Sequence, residues 1–175
     1  MRPDLQMIRQ PEEIERLAAF AEEVWHEHYD PLLGSAQVDY MVEKFQSAPA
    51  LAEQLKNGYE YYAVVDKESG EMMGFCGIRP EPRENRLFLS KLYIGARYRR
   101  IGLATLVLEF LKQYAHNMNA ERIWLTVNKH NDGSIAAYRR FGFRTVREET
   151  TEIGCGYVMD DYIMEKELEF DGGIE

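Results

Sequence analysis

Cysteine is scarce in this chain of 175 residues: Cys76 and Cys155 are the only two and stand far apart. So few thiols build neither a disulfide framework nor a Cys-x-x-Cys site. Long hydrophobic runs are missing too. None reaches the ~18–20 uncharged residues that span a bilayer, and Met1-Arg2-Pro3-Asp4 opens no signal peptide; a cytoplasmic protein with no membrane partner is expected. A basic surplus is also absent, since 21 Lys and Arg face 30 Asp and Glu, a formal net charge of −9. That balance argues against general nucleic-acid binding, where phosphates must be neutralised, and favours cationic partners such as amines. Several motifs do not occur. There is no Gly-x-x-x-x-Gly-Lys-[Ser/Thr] and no Gly-x-Gly-x-x-Gly, because Gly74 and Gly77 lie inside a candidate strand. There is no His-Glu-x-x-His. His26 and His28, on a helix, would point roughly 200° apart, so no metal is expected. A Gly-x-Ser-x-Gly elbow is likewise missing, which speaks against a hydrolase.

What is present reads as an ordinary globule, with 45% hydrophobic and 29% charged residues. The length suits one domain, assigned to residues 1–170, with 171–175 as a polar C-terminal tail. Charge is unevenly spread. Residues 11–30 carry a net −6 and residues 148–175 a net −9, whereas residues 79–100 carry +5. An acidic protein with one basic segment points to an anion site there and a cation-tolerant surface elsewhere.

Periodicity supplies the elements. Leu5–Arg9 is a short candidate strand. Pro11 then opens a helix with Ile14, Leu17, Ala18, Ala21, Trp25 and His28 on one face. Ser35 is placed to cap a second helix, and a third runs about Pro49–Lys56, stopping at Asn57-Gly58. Glu60–Asp66 and Met72–Ile78 form a hairpin, followed by Arg79-Pro-Glu-Pro-Arg83 as loop, since two prolines in three residues serve a ladder poorly. Arg86–Ile94 is a strand. The best helix carries Leu103, Leu106, Val107, Phe110, Leu111 and Tyr114. Arg122–Asn128 alternates Ile123, Leu125 and Val127 inward, Asp132–Arg140 is a short helix, and Phe143–Thr151 and Tyr157–Leu168 are closing strands. This order predicts an α/β fold: a mixed, mostly antiparallel central sheet of about seven strands, with helices on both faces.

The chemistry is concentrated where the strand ending at Ile94 turns through Gly95-Ala-Arg-Tyr-Arg-Arg-Ile-Gly-Leu-Ala104 into the long helix. A helix start offers unpaired N–H groups and the positive end of the helix dipole. With Arg97, Arg99 and Arg100 beside it, and Gly102 and Ala104 keeping it free of bulk, the turn is a cradle for a phosphate or pyrophosphate. A second signal lies downstream: Asn131, Ser134, Tyr138 and Gly142-Phe143 at fixed spacing across a strand end and a short helix.

Arg99-x-x-Gly102-x-Ala104 followed by Asn131-x-x-Ser134-x-x-x-Tyr138-x-x-x-Gly142-Phe143 resembles the GNAT superfamily of acyl-CoA-dependent N-acetyltransferases, specifically over about residues 60–145. The resemblance implies acetyl-CoA as cosubstrate, with its pyrophosphate on the amides of Arg97, Arg99, Arg100, Ile101, Gly102, Leu103 and Ala104. It implies a pantetheine arm between the strands 86–94 and 122–128, paired with backbone at Leu92, Tyr93 and Ile94. Asn131 and Ser134 then bind the arm or hold the helix start. Tyr138 carries catalysis, its hydroxyl protonating or stabilising the departing thiolate. In many relatives a strand Glu activates the amine; here Ser90 takes about that place and cannot accept a proton at neutral pH. Glu60, His130 and a water chain remain as bases. Glu22, Trp25 and Glu27 on the first helix are candidates to bind the acceptor, by charge and by the face of the indole ring. The partner is therefore a small-molecule or peptide amine, and a homodimer stays open. The layout also resembles the polyamine acetyltransferase branch, which makes a polyamine the first acceptor to consider. A protein or peptide amine is the alternative, as is a non-catalytic acyl-CoA sensor on the same fold.

Overall fold

The computed structural model describes residues 1–169; the tail assigned to 171–175 lies outside the described residues. Twelve principal elements follow in the order β1 (Pro3–Met7), α1 (Pro11–Leu33), α2 (Ser35–Gln46), α3 (Ala48–Lys56), β2 (Glu60–Asp66), β3 (Met72–Glu81), β4 (Arg86–Ile94), α4 (Leu103–Asn117), β5 (Arg122–Asn128), α5 (Asp132–Phe141), β6 (Arg144–Gly154) and β7 (Tyr157–Glu167). They form a seven-stranded mixed sheet flanked by five helices, with strand order β1-β2-β3-β4-β5-β7-β6. β1 and β2, β2 and β3, β5 and β7, and β6 and β7 pair antiparallel, and β4 and β5 run parallel. The chain divides into two compact units, one of residues 1–79 with 91–107, the other of residues 80–90 with those from 108 onward.

In the first unit Leu17 and Ala21 of α1, Leu51 of α3, and Tyr61, Ala63 and Phe75 of the hairpin make a closed apolar core. Burying a large side chain of this kind contributes ~1.5–3 kcal/mol, which is why the three-and-four spacing of α1 settles as a helix against this sheet. Two glycines are required by crowding. A Cβ on Gly74 would stand 2.7 Å from Tyr93 O and from Ile94 Cδ1, and one on Gly77 would stand 2.6 Å from the Tyr61 ring. β3 therefore lies close against β4 and the Tyr61 ring. The second unit shows the alternation expected of β5: Ile123, Leu125 and Val127 are buried, while Trp124 stacks on Phe88 with centroids 4.2 Å apart.

Four local expectations are corrected. β1 lies two residues earlier than expected, because it pairs from Pro3↔Asp66 to Met7↔Tyr62, and the N–H groups of Arg9 and Gln10 are taken by the Glu13 carboxylate capping α1. Ser35 is not the cap of α2; Gly34, at φ 85°, occupies the cap and Ser35 is already helical. Residues 79–81 are strand rather than loop. The β2 pairing ends at Glu60↔Ile78, so the N–H that Pro80 lacks is not needed on that side. Glu81 is held by Trp124 Nε1 at 2.7 Å and by Arg86 Nε at 2.8 Å. Finally, the buried stripe of α4 runs through Leu103, Val107, Leu108, Leu111 and Ala115, leaving Leu106 exposed.

Candidate active site

Within the first unit β4 ends at Ile94, and Gly95 N–H donates to Met73 O at 2.8 Å, tying the start of the turn to β3. One 3-10 turn follows at Ala96–Tyr98, and Tyr98 N–H donates to Gly95 O at 2.9 Å. Arg100 and Gly102 then adopt left-handed backbone, φ 64° and 89°. Two such residues so close together reverse the chain sharply, and glycine is the residue that tolerates the second at little cost. The first intrahelical bond of α4 is Leu106 N–H to Gly102 O at 3.0 Å, so the amides of Leu103, Ala104 and Thr105 have no carbonyl acceptor within the helix. Beyond Gly102 and its two chain neighbours, no described atom lies within 4 Å of where a Gly102 Cβ would stand. Open space, unengaged amides and a helix start make a seat that fits a pyrophosphate. Arg97, Arg99, Arg100 and Ile101 are exposed around it, whereas Leu103 is buried. Arg97 also pairs with Glu71 at 3.4 Å, and Arg99 Nε donates to Ile94 O at 3.4 Å.

Beside that turn lies a cavity of about 340 Å³, lined by Phe20, Glu23, Val24 and Glu27 of α1, by Glu71 and Met72, and by Gly95 to Tyr98. Glu71 is engaged by Arg97. Glu23 and Glu27, four residues apart on one helix face, have no ion-pair partner among the described residues; Arg16 of α1 lines the same cavity, its guanidinium donating to Gly70 O, so the α1 wall presents two carboxylates and one guanidinium. Of the three acceptor candidates, Glu27 lines this cavity and Glu22 does not. Trp25 is buried in an aromatic group, its ring 4.8 Å from that of Tyr29 and 5.5 Å from that of Tyr93. The hydroxyls of Tyr29 and Tyr93 stand 3.1 Å apart, and Trp25 Nε1–H has no hydrogen-bond partner among the described residues. Leu92, Tyr93 and Ile94 are half-buried on β4 of this unit. Glu23 lines the cavity beside Glu27 although it stands outside the acceptor set of Glu22, Trp25 and Glu27; its offset of four from Glu27 sets the two on one helix face.

Asn131, Ser134 and Tyr138 belong to the second unit. Asn131 is the N-cap of α5: its Oδ1 accepts from Ser134 N–H at 3.3 Å, and Ile135 N–H donates to its carbonyl. Tyr138 is half-buried, with its ring edge-on to Phe143 at 5.6 Å. Gly142 ends α5 at φ 105°, left-handed backbone that favours glycine, whereas a Cβ there would meet only the end of the Lys166 side chain, which can swing aside. Of the candidate bases, Glu60 accepts from the Tyr62 hydroxyl at 2.6 Å, and His130 sits exposed in the β5–α5 turn, its N–H on Asn128 Oδ1. Two perturbed groups were missed. Burial pulls Lys91 down to about 7 and pushes Asp161 up to about 6, the latter helped by the charges of Asp160 and Glu149 against an opposing Lys129. His26 is held between Asp30 and Asp39, at 2.8 Å from each, and no cluster among the described residues would hold a metal ion.

Residues 17–143 match the Acetyltransferase (GNAT) family. The chain is 31% identical over 106 residues to the spermine/spermidine N(1)-acetyltransferase of Bacillus subtilis, covering 57% of this chain and 70% of that protein. It is 26% identical over 155 residues to an uncharacterized N-acetyltransferase of Mycobacterium tuberculosis, covering 88% and 97%. Among solved structures it is similar to the PaiA N-acetyltransferase of Thermoplasma acidophilum in complex with coenzyme A (TM-score 0.77, 19% identity, 95% of this chain and 99% of that one). A GCN5-related N-acetyltransferase of Rhodopseudomonas palustris superimposes equally well (TM-score 0.77, 18% identity, 96% and 97%). With strand order, turn and family match in agreement, the chain belongs to the GNAT family and is an acyl-CoA-dependent N-acetyltransferase.

Proposed function

We propose that the enzyme moves an acetyl group from acetyl-CoA to a primary amine by direct attack in a ternary complex, and that the acceptor is a polyamine. The observation that carries this reading is the open turn at Gly102, with its unengaged helix-start amides, beside a cavity whose α1 wall presents Glu23 and Glu27. Acetyl-CoA supplies an activated acyl thioester. The amides of Arg97 and of Arg99 to Ala104 hold its pyrophosphate, with Arg97, Arg99 and Arg100 adding positive charge. The backbone of Leu92, Tyr93 and Ile94 pairs with the pantetheine arm, and an N–H there polarises the acyl carbonyl. The Tyr138 hydroxyl meets the developing thiolate and gives it a proton, and the proton that the acceptor nitrogen sheds on acylation passes through water to restore the phenol. Asn131 and Ser134 keep α5, and so Tyr138, in place.

On the acceptor side, two carboxylates on one helix face suit a chain of amines spaced by methylenes, while Phe20, Val24 and Met72 cover the methylenes. The Bacillus relative bears a polyamine in its name, and a net charge of −9 draws a polycation to the protein. Residues 1–170 are taken as one N-acetyltransferase domain working in the cytoplasm. A thiol-release assay across polyamines, amino acids and peptides tests the assignment. Turnover highest with polyamines is expected; turnover only with peptides transfers the acceptor to protein amines, and binding without thiol release makes the chain an acyl-CoA sensor. Tyr138→Phe is expected to lower kcat by ~10²-fold or more with acetyl-CoA binding kept, and an unchanged kcat removes Tyr138 from the reaction.

A further inference from the structure

One carboxylate of the second unit is buried without a partner. Asp161 of β7 is only 8% exposed, and its side chain takes part in no hydrogen bond and no ion pair among the described residues. The charged groups around it are few. Glu149 of β6 stands directly across the ladder, and Arg147 faces the same way one row further along. Asp160 precedes it in the chain, and Lys129 is already held by Asp160 at 2.9 Å and Glu148 at 3.4 Å, with His130 exposed beside it. Burial, then Asp160 and Glu149, push Asp161 up to about 6 against the pull of Lys129. A buried carboxylate ordinarily recruits donors, because it is destabilising without them, and carboxyls left in that state concentrate where chemistry needs them.

Register fixes where it points. β7 pairs with β5 without a break from Arg122↔Glu167 to Asn128↔Asp161, so Asp161, Ile163 and Glu165 share one face and Tyr162, Met164 and Lys166 the other. α5 lies on the second face, since Lys166 Nζ stands 5.5 Å from the Phe141 ring at its end. Asp161 therefore faces away from the helix that carries Tyr138. Along the strand it is level with Asn128, the last residue of β5, whose Oδ1 accepts the His130 N–H as the chain turns toward α5. Here β5 has already parted from β4, whose pairing with it stops at Leu89↔Leu125. A thioester lodged beside residues 126–128 has a proton donor for its sulfur on one face and a proton acceptor for the incoming nitrogen on the other. Acyl transfer to an ammonium needs both.

We propose that Asp161 is the general base of the reaction, taking one proton from the bound acceptor ammonium so that the free amine attacks. The inference rests on the acetyl-transfer reading above. An N–H bond of the ammonium breaks and Asp161 becomes the neutral acid. The nitrogen lone pair then forms the C–N bond while the C–S bond breaks, and Tyr138 protonates the sulfur. The second nitrogen proton returns through water to the phenolate, and Asp161 releases its own to solvent through its remaining exposed edge. A carboxyl near 6 is ionised at neutral pH and more basic than an ordinary aspartate, as this step requires.

The pH dependence of kcat/KM for a polyamine, wild type against Asp161→Asn, tests it, with thermal melts and an acetyl-CoA titration alongside. The wild type should hold a plateau from about pH 6 to near the ~10 of a primary amine, and fall below about 6. Asp161→Asn should melt no lower than the wild type and bind acetyl-CoA as well, yet lose ~10²-fold or more in kcat at pH 7. Its kcat/KM should then climb about tenfold per pH unit as the acceptor deprotonates unaided, approaching the wild type near pH 10. Asp161→Ala should give the same profile, so the outcome does not hang on one variant. A variant with wild-type kcat, a loss equal at every pH, or a raised KM with kcat and the plateau unchanged would overturn the proposal, the last making Asp161 an anchor for charge. A wild type that releases no thiol with any amine defeats the underlying transferase reading, and the base with it; that failure is seen before any variant is made.

Discussion

Lys91 is an amine held where water does not reach. Its Nζ donates to Phe45 O at 2.8 Å, one of the terminal carbonyls of α2, and to Gln54 Oε1 at 3.1 Å, and the Tyr61 ring lies 5.0 Å away. Two acceptors match the two N–H donors of a neutral amine, in keeping with burial pulling the group down to about 7. The unfolded chain keeps an ordinary lysine, so between about 7 and 10.5 it binds a proton that the folded chain does not, and stability rises with pH through that window. From pH 7 to 9 the gain should be on the order of 2 kcal/mol, and Lys91→Met should flatten it, as read by denaturant melts. Above about pH 9 the buried Cys76 thiol, pushed up to about 12, works the other way. Asp161 shows the opposite sign. Its folded value of about 6 exceeds the unfolded one, so it costs stability increasingly as pH rises from about 4 to 6. Asp161→Asn is expected to raise stability by about 1–2 kcal/mol at pH 7 and to do nothing below pH 4.

Elements were legible where periodicity was strong and backbone bonding had no competitor. The hairpin Glu60–Asp66 and Met72 onward, β4 and β5 follow their residue patterns closely, and α4 does so in extent but not in the face it buries, which leaves Leu106 exposed. Ser35 and the 79–81 segment did not, and the reason is common to both: a capping or ladder bond is satisfied by partners that local sequence does not display. Gly34 caps α2 through its backbone conformation, and β3 outruns its pairing with β2, which leaves Pro80 harmless. Asn131 was open to two uses, and its Oδ1 is engaged by Ser134 N–H. Asn131→Ala should therefore cost about 1 kcal/mol, seen as a lower melting temperature, while the KM for acetyl-CoA changes little. A large rise in KM at unchanged stability would instead return Asn131 to the pantetheine arm.

At the scale of the molecule, a charge map drawn from sequence lacks the grain of the folded surface. The acidic stretch of α1 divides by helix phase: Glu23 and Glu27 face the cavity, while Trp25, two residues from each, turns into the aromatic core. A run of acids in one dimension cannot say which members share a wall, and this phase is what the sequence-level acceptor set of Glu22, Trp25 and Glu27 lacked. The division makes a specific prediction. A polyamine carries several charges along a flexible chain and feels both carboxylates, whereas a monoamine acceptor presents one charge. Changing Glu23→Gln and Glu27→Gln together should raise the polyamine KM by roughly 3–10-fold, since solvent-exposed pairs contribute about 0.2–1 kcal/mol each. The monoamine KM should rise less, and kcat should hold for both, because neither carboxylate moves a proton in the reaction. Salt supplies the cross-check. Screening over a Debye length of about 8 Å at physiological ionic strength should erode the wild-type preference for polyamines and leave the double variant nearly insensitive. Equal losses for polyamine and monoamine would place the acceptor elsewhere. A fall in kcat without a change in KM would instead make one of these carboxylates the base that Ser90 cannot be.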